Sequence, residues 1–201
     1  MGIIVSSVYD CADAFSKLLD IEYEIVLGRK MQNVTLRVEF RKTDLFHLLG
    51  FQYLLDRPEL NHDREKVFYD LRKRKLSDKH IEKSHHYKKI RERVNYLPLL
   101  ESIFDDNNTV FRYNENLNNF SLIKAAYLMK NEVQFKNVFT FLSASESGKY
   151  FCRSFFPQER IDYSIGQTSW TLLYKKKIYR KTGTEVILYD RKKTCSCCFC
   201  I

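Results

Sequence analysis

His47 lies between Phe46 and Leu48 in a short, otherwise apolar run that ends at Gly50. Apolar surroundings disfavour a permanent charge on an imidazole, which suits a general acid or base working near neutrality. A satisfied core histidine is the plainer alternative. The run Lys83-Ser84-His85-His86-Tyr87-Lys88-Lys89-Ile90-Arg91-Glu92-Arg93 gathers hydroxyls, imidazoles and cations at an expected helix start. Lys83 and Ser84 there would form an anion site, unless Ser84 simply caps the helix. Arg93 falls on the polar side of that helix as a phosphate clamp. Further on, Arg153-Ser154-Phe155-Phe156-Pro157 ends an expected strand, and Tyr163 and Gln167 sit in the loop that follows. Their hydroxyl, phenol and amide groups could grip a phosphate or a sugar, or close the loop by hydrogen bonds.

Other chemistries find no support in the sequence. No carboxylate cluster of metal-site form and no His-x-His spacing is present, and the adjacent His85 and His86 would diverge on a helix. A metal site is therefore not expected. Neither is a cofactor, since the phosphate-binding glycine motifs and the Gly-x-Ser-x-Gly elbow are missing.

The charge points to a partner. There are 34 basic and 25 acidic residues, a formal +9. Arg57–Arg93 holds 13 basic against 7 acidic residues, and Lys175–Lys193 holds 8 against 2. Four of the five histidines, His62, His80, His85 and His86, share the first stretch. A solvated face explains any one of these residues, but two patches facing one groove would track a phosphate backbone. No stretch is long and apolar enough for a membrane span, and Met1–Val5 is too short for a signal core. Cys11 and Cys152 stand apart from a terminal cluster at Cys195, Cys197, Cys198 and Cys200. That is no disulfide framework, so a reducing, cytoplasmic setting is expected. The tail is too compressed for an ordinary zinc knuckle, and its function cannot be deduced.

The elements that must position these residues read as follows. Residues 7–20 form an amphipathic helix, and the alternating runs 21–27 and 34–40 form a hairpin with its turn at Gly28-Arg29-Lys30. A short helix capped by Thr43 or Asp44 carries His47, and a long one at about 85–104 is kinked or split by Pro98. Strands are expected at 122–130, 135–142, 149–156, 169–179 and 184–190. The fold class is α+β: a helical N-terminal half with a β-hairpin, followed by an antiparallel sheet of four to five strands. Residues 1–190 would make one domain, helical over about 43–104 and sheet over about 120–190, with 191–201 as a Cys-rich tail.

The order Phe46-His47-Leu48-Leu49-Gly50, then Lys83-Ser84 with Tyr87, Ile90 and Arg93, then Ser154-Phe155-Phe156-Pro157, then Tyr163, resembles the phage-associated branch of the barnase–EndoU–colicin–RelE-like nucleases. The resemblance covers about residues 20–180. It implies a metal-independent ribonuclease site on an antiparallel sheet and implicates His47, Lys83, Ser84, Arg93, Ser154 and Tyr163. The expected catalytic set is then His47, Arg93, Ser154 and Tyr163, with Lys83, Ser84, Tyr87 and Gln167 binding substrate. The activity it implies is that of a toxin-like endoribonuclease with RNA or another nucleic acid as partner and a cognate inhibitor protein. The terminal cysteines match nothing in that family. A non-catalytic RNA- or DNA-binding module is the alternative. Arg74-x5-His80 also fits an all-helical ribonuclease spacing, which the strand-rich second half opposes.

Overall fold

The computed structural model describes residues 5–60 and 63–195. His62, Cys197, Cys198 and Cys200 lie outside them.

Helix α1 (Val8–Leu18) opens with a capping box between Ser7 and Asp10 and buries Val8, Cys11, Ala12, Phe15 and Leu18. Strict alternation then builds β1 (Ile21–Arg29) and β2 (Gln32–Glu39), paired antiparallel from Glu22↔Glu39 to Arg29↔Gln32. Tyr23, Ile25 and Leu27 are fully buried on one face. The turn falls at Lys30 and Met31, both left-handed at φ 46° and 62°, overlapping the expected Gly28-Arg29-Lys30 and ending one residue later. Two successive left-handed residues match the twist of a hairpin even without glycine.

A string of short helices follows: α2 (Asp44–Leu49), α3 (Arg64–Arg72), α4 (Asp78–Glu82), α5 (Arg91–Tyr96) and α6 (Leu100–Asp105). Pro98 sits in the 3-10 turn that separates α5 from α6. Beyond them come β3 (Thr109–Arg112), β4 (Tyr127–Val133), β5 (Lys136–Ala144), β6 (Tyr150–Pro157), β7 (Thr168–Tyr179) and β8 (Thr184–Asp190). The β4–β5 hairpin turns at Gln134 and Phe135, again both left-handed.

The expected architecture, a helical half followed by a separate antiparallel sheet of four to five strands, is incorrect. All eight strands form one sheet, and seven of them, in the order β1-β2-β6-β5-β4-β3-β7, close into a barrel because β7 pairs back onto β1. The barrel is mixed, since β2 and β6 run parallel where Val38 and Glu39 meet Tyr150 and Phe151. Strand β8 lies outside it, on β7. Closure depends on the length of β7. Its first three residues pair with β3, and Thr171–Tyr179 pair with β1. The helices are short pieces, the longest among the described residues being the 11-residue α1.

One strand face shares the main core with the helices, through residues such as Ile25, Val38, Leu142 and Phe155. The opposite face of β3–β6 carries a smaller aromatic cluster around Tyr113, Leu128, Phe139 and Phe141. The basic run on β7 is consumed internally. Lys175 is fully buried and donates to the carbonyls of Phe104 (3.0 Å) and Asp106 and to Asn108 Oδ1 (2.5 Å). Lys177 bridges Glu101 and Asp105, and Lys176 pairs with Glu185. This run therefore does not supply a second wall of a phosphate groove.

Candidate functional site

Strand β2 pairs with β6 only at Tyr150 and Phe151, so among the described residues the rest of that edge of β6 has no strand partner. Helices α2 and α5 pack there, and a cleft of about 590 Å³ opens between them and the loops that follow β3 and β6.

Helix α2 presents His47. Its start is fixed by Asp44, whose carboxylate accepts the Arg41 backbone N–H at 2.8 Å and the Arg41 guanidinium at 3.2 Å. Gly50 ends it at φ 80°, its N–H donating to the carbonyls of His47 and Phe46. A Cβ at this position would come within 3.0 Å of Arg93 Cδ and of Ile90. Glycine is thus required both for the left-handed turn and for the passage of Arg93. His47 is half-buried, with its ring edge-on to Phe46 at 5.4 Å. Burial, followed by the positive charges of Arg64 and Arg153, holds its pKa below 6.5, while the neighbouring Gln52 amide opposes the shift. Burial and the two charges both favour the neutral ring.

Arg93 comes from α5 and is buried, 8% exposed. Its Nη1 donates to the Phe155 carbonyl on the free edge of β6 at 2.8 Å. The guanidinium also lies over the rings of Phe156 (4.9 Å) and Tyr53 (5.5 Å). Burial lowers its pKa, with Tyr53, Glu159 and Tyr163 acting in the opposite sense. Among the described residues no carboxylate forms an ion pair with it. Such a buried cation favours an anionic ligand.

Strand β6 contributes Ser154 and Phe156 to the cleft, while Phe155 between them is buried in the main core. Tyr163, from the loop after β6, packs against Phe156 (5.4 Å), Phe141 (5.5 Å), Phe139 (5.7 Å) and Phe120 (5.9 Å). Asp162 anchors this loop through the Ser164 N–H and Lys130 Nζ, at 2.9 and 2.7 Å.

His47, Arg93, Ser154 and Tyr163 therefore line one cleft. The four expected substrate contacts do not. Ser84 Oγ donates to Asp56 at 2.5 Å and accepts the His86 N–H, so it organises a turn. Lys83 is exposed at the end of α4. Tyr87 packs half-buried against the main core, where burial pushes its hydroxyl up to about 12. Gln167 clasps Asn114, accepting its N–H at 2.7 Å and donating to its carbonyl at 3.1 Å, which ties together the loops after β3 and β6.

Sequence reasoning missed other residues of the cleft. Arg153 and Arg160 are exposed cations at its rim, and Gln52 and Tyr53 line it from the 3-10 turn after α2. Arg153 stands beside Ser154, but alternation along β6 assigns it to the other face, with Phe155. Arg160 had no periodic context. Among the described residues no group of His, Cys, Asp or Glu could hold a metal ion. Nor is any helix among them long and apolar enough to cross a membrane.

Cations, a neutral imidazole and hydroxyls around one opening suit an anionic, phosphate-bearing ligand. The family model described as phage-Barnase-EndoU-ColicinE5/D-RelE like nuclease4 matches residues 7–192, and the chain belongs to that nuclease family. No curated protein and no solved structure matches it.

Proposed function

We propose that the protein is a metal-independent endoribonuclease working in the cleft between α2, α5 and β6. The observation that carries this reading is that His47, Arg93, Ser154 and Tyr163 line one opening, which thus holds both an imidazole whose burial favours the neutral form and a buried guanidinium. Neutral His47 takes the proton of a ribose 2′-hydroxyl as that oxygen attacks the adjacent phosphorus. Charge grows on the non-bridging oxygens, and Arg93 meets it from a site already desolvated and oriented by Phe155 and Phe156. Ser154 and Tyr163 orient the phosphate through their hydroxyls, and Arg153 and Arg160 draw in the strand. The bond to the 5′-oxygen breaks, leaving a 2′,3′-cyclic phosphate, and the departing oxygen takes a proton from water, whose hydroxide recovers one from protonated His47.

Incubating purified protein with RNA in EDTA tests the reading. Cleavage is expected, and His47→Ala should slow it by about a hundredfold to a thousandfold. Unimpaired cleavage by that variant would remove His47 from the mechanism. Retarded but intact RNA would instead favour a binding module with the same fold.

A further inference from the structure

The cleft is lined by exposed apolar side chains as well as by cations. Leu122 is 98% exposed, Phe120 60% and Ile161 41%, and all three line the opening. They come from the two loops that Gln167 ties together, and Phe120 rests edge-on against Tyr163 at 5.9 Å with an interplanar angle of 60°. Tyr163 is in turn held by Phe139, Phe141 and Phe156. Phe120 is thus propped on one side and open on the other, and the same cleft is lined by Arg93, Arg153 and Arg160 together with Glu159 and a Glu92 paired to Lys136.

We infer that this apolar lining is a nucleobase subsite: a base stacks on Phe120 and is flanked by Leu122 while its phosphate faces Arg93, so the cleft takes unpaired nucleotides. The inference rests on the nuclease reading above and deepens it. A ligand that satisfies both the guanidiniums and the propped aromatic ring of one cleft must join an anion to a flat, apolar group. A nucleotide does so within one residue. In a duplex both faces of each base are already stacked, so the ring could be used only by a base that is single-stranded or turned out of the helix. Cations serve any phosphate, but the ring serves only a free base, and it therefore determines selectivity.

The test uses the full chain and a fluorescent 2′-O-methyl RNA oligonucleotide, which binds but has no free 2′-hydroxyl to attack. Affinity is read by anisotropy for the single strand, for the same sequence as a duplex, and for a single strand lacking its bases. Wild type should prefer the base-bearing single strand to both of the others. Phe120→Ala should weaken binding of the single strand by about 5- to 150-fold and leave the base-free strand unaffected, while Phe120→Tyr should bind like wild type. Leu122→Ser should show a smaller loss. Since both side chains are exposed, these variants leave the core intact. Salt-dependent binding with no difference between strand forms, or no effect of Phe120→Ala, would overturn the subsite and leave the nuclease reading standing. If the oligonucleotide fails to bind even at low salt, both readings fall.

Discussion

Two side chains in the cleft owe their chemistry to what surrounds them. An exposed histidine is partly charged near neutrality, but burial and the positive charges of Arg64 and Arg153 keep His47 neutral there. A general base must be deprotonated, so the acidic limb of the pH–rate profile should have its midpoint below 6.5, the ordinary histidine value. Removing a neighbouring cation raises the pKa of the ring. Arg153→Gln should therefore move that limb to higher pH, read both from cleavage rates and from the NMR titration of His47. An unmoved limb would mean that another group sets it. Arg93 illustrates the complementary case, a cation whose charge is kept out of water by the free edge of β6 and two aromatic rings.

At the scale of elements, the joint between α2 and α5 holds these two residues together. Gly50 adopts φ 80° and lets Arg93 pass within 3.0 Å of where a Cβ would stand. Gly50→Ala should cost about 1–2 kcal/mol for the left-handed backbone alone. It should also lower cleavage by about tenfold to a hundredfold, since Arg93 must shift. Gly183 offers a control, as its φ is 70° but nothing lies within 4 Å of its Cβ position. Gly183→Ala should carry the same backbone strain in urea unfolding yet cleave RNA at the wild-type rate. Equal loss of activity in both variants would show that stability alone, and not the position of Arg93, explains the effect.

Across the whole molecule, barrel closure explains why a lysine is buried. Lys175 sits on β7, and its three acceptors lie at and just after the end of α6. Burial lowers it from the ordinary 10.5 to about 8, against the attraction of Asp106 and Asp105. Between these values the unfolded chain keeps a proton that the folded chain has lost, so this residue makes stability rise with pH from about 8. Tyr23 works the other way above 10, because burial and its hydrogen bond to Asp105 raise its pKa. Buried Cys11 and Cys152, raised well above 9.0, oppose Lys175 from about 9, so the window in which Lys175 dominates is pH 8–9. Lys175→Met should lose that rise in urea midpoints and destabilise the fold by about 3 kcal/mol near neutrality, with its three acceptors left unpaired. A stability profile that Lys175→Met leaves unchanged would remove Lys175 from this account.

Some of this was legible in the sequence because it is local. Alternation from Ile21 to Phe40 specifies the first hairpin, and Pro98 marks the break between α5 and α6. The turns at Lys30-Met31 and Gln134-Phe135 were not legible, because these residues are not ordinary turn formers. Strand β3 was hidden too, four residues following a run of Asp and Asn. The basic excess misled by half. In its C-terminal stretch Lys175 and Lys177 are buried and held inside the protein and Lys176 pairs with Glu185, while the cleft draws Arg153 and Arg160 from outside both basic stretches.

The sequence by itself determined the residue types that chemistry needs, the order of the short motifs and most local elements. These depend on spacing along the chain. Only the tertiary structure decided that β7 would close on β1, that Lys175 would be buried, and that His47, Arg93, Ser154 and Tyr163 would share an opening while Ser84 and Gln167 would organise loops. The physical reason is that strand closure pairs residues some 150 positions apart, such as Ile21 and Tyr179. No local periodicity records which distant edge a strand will meet.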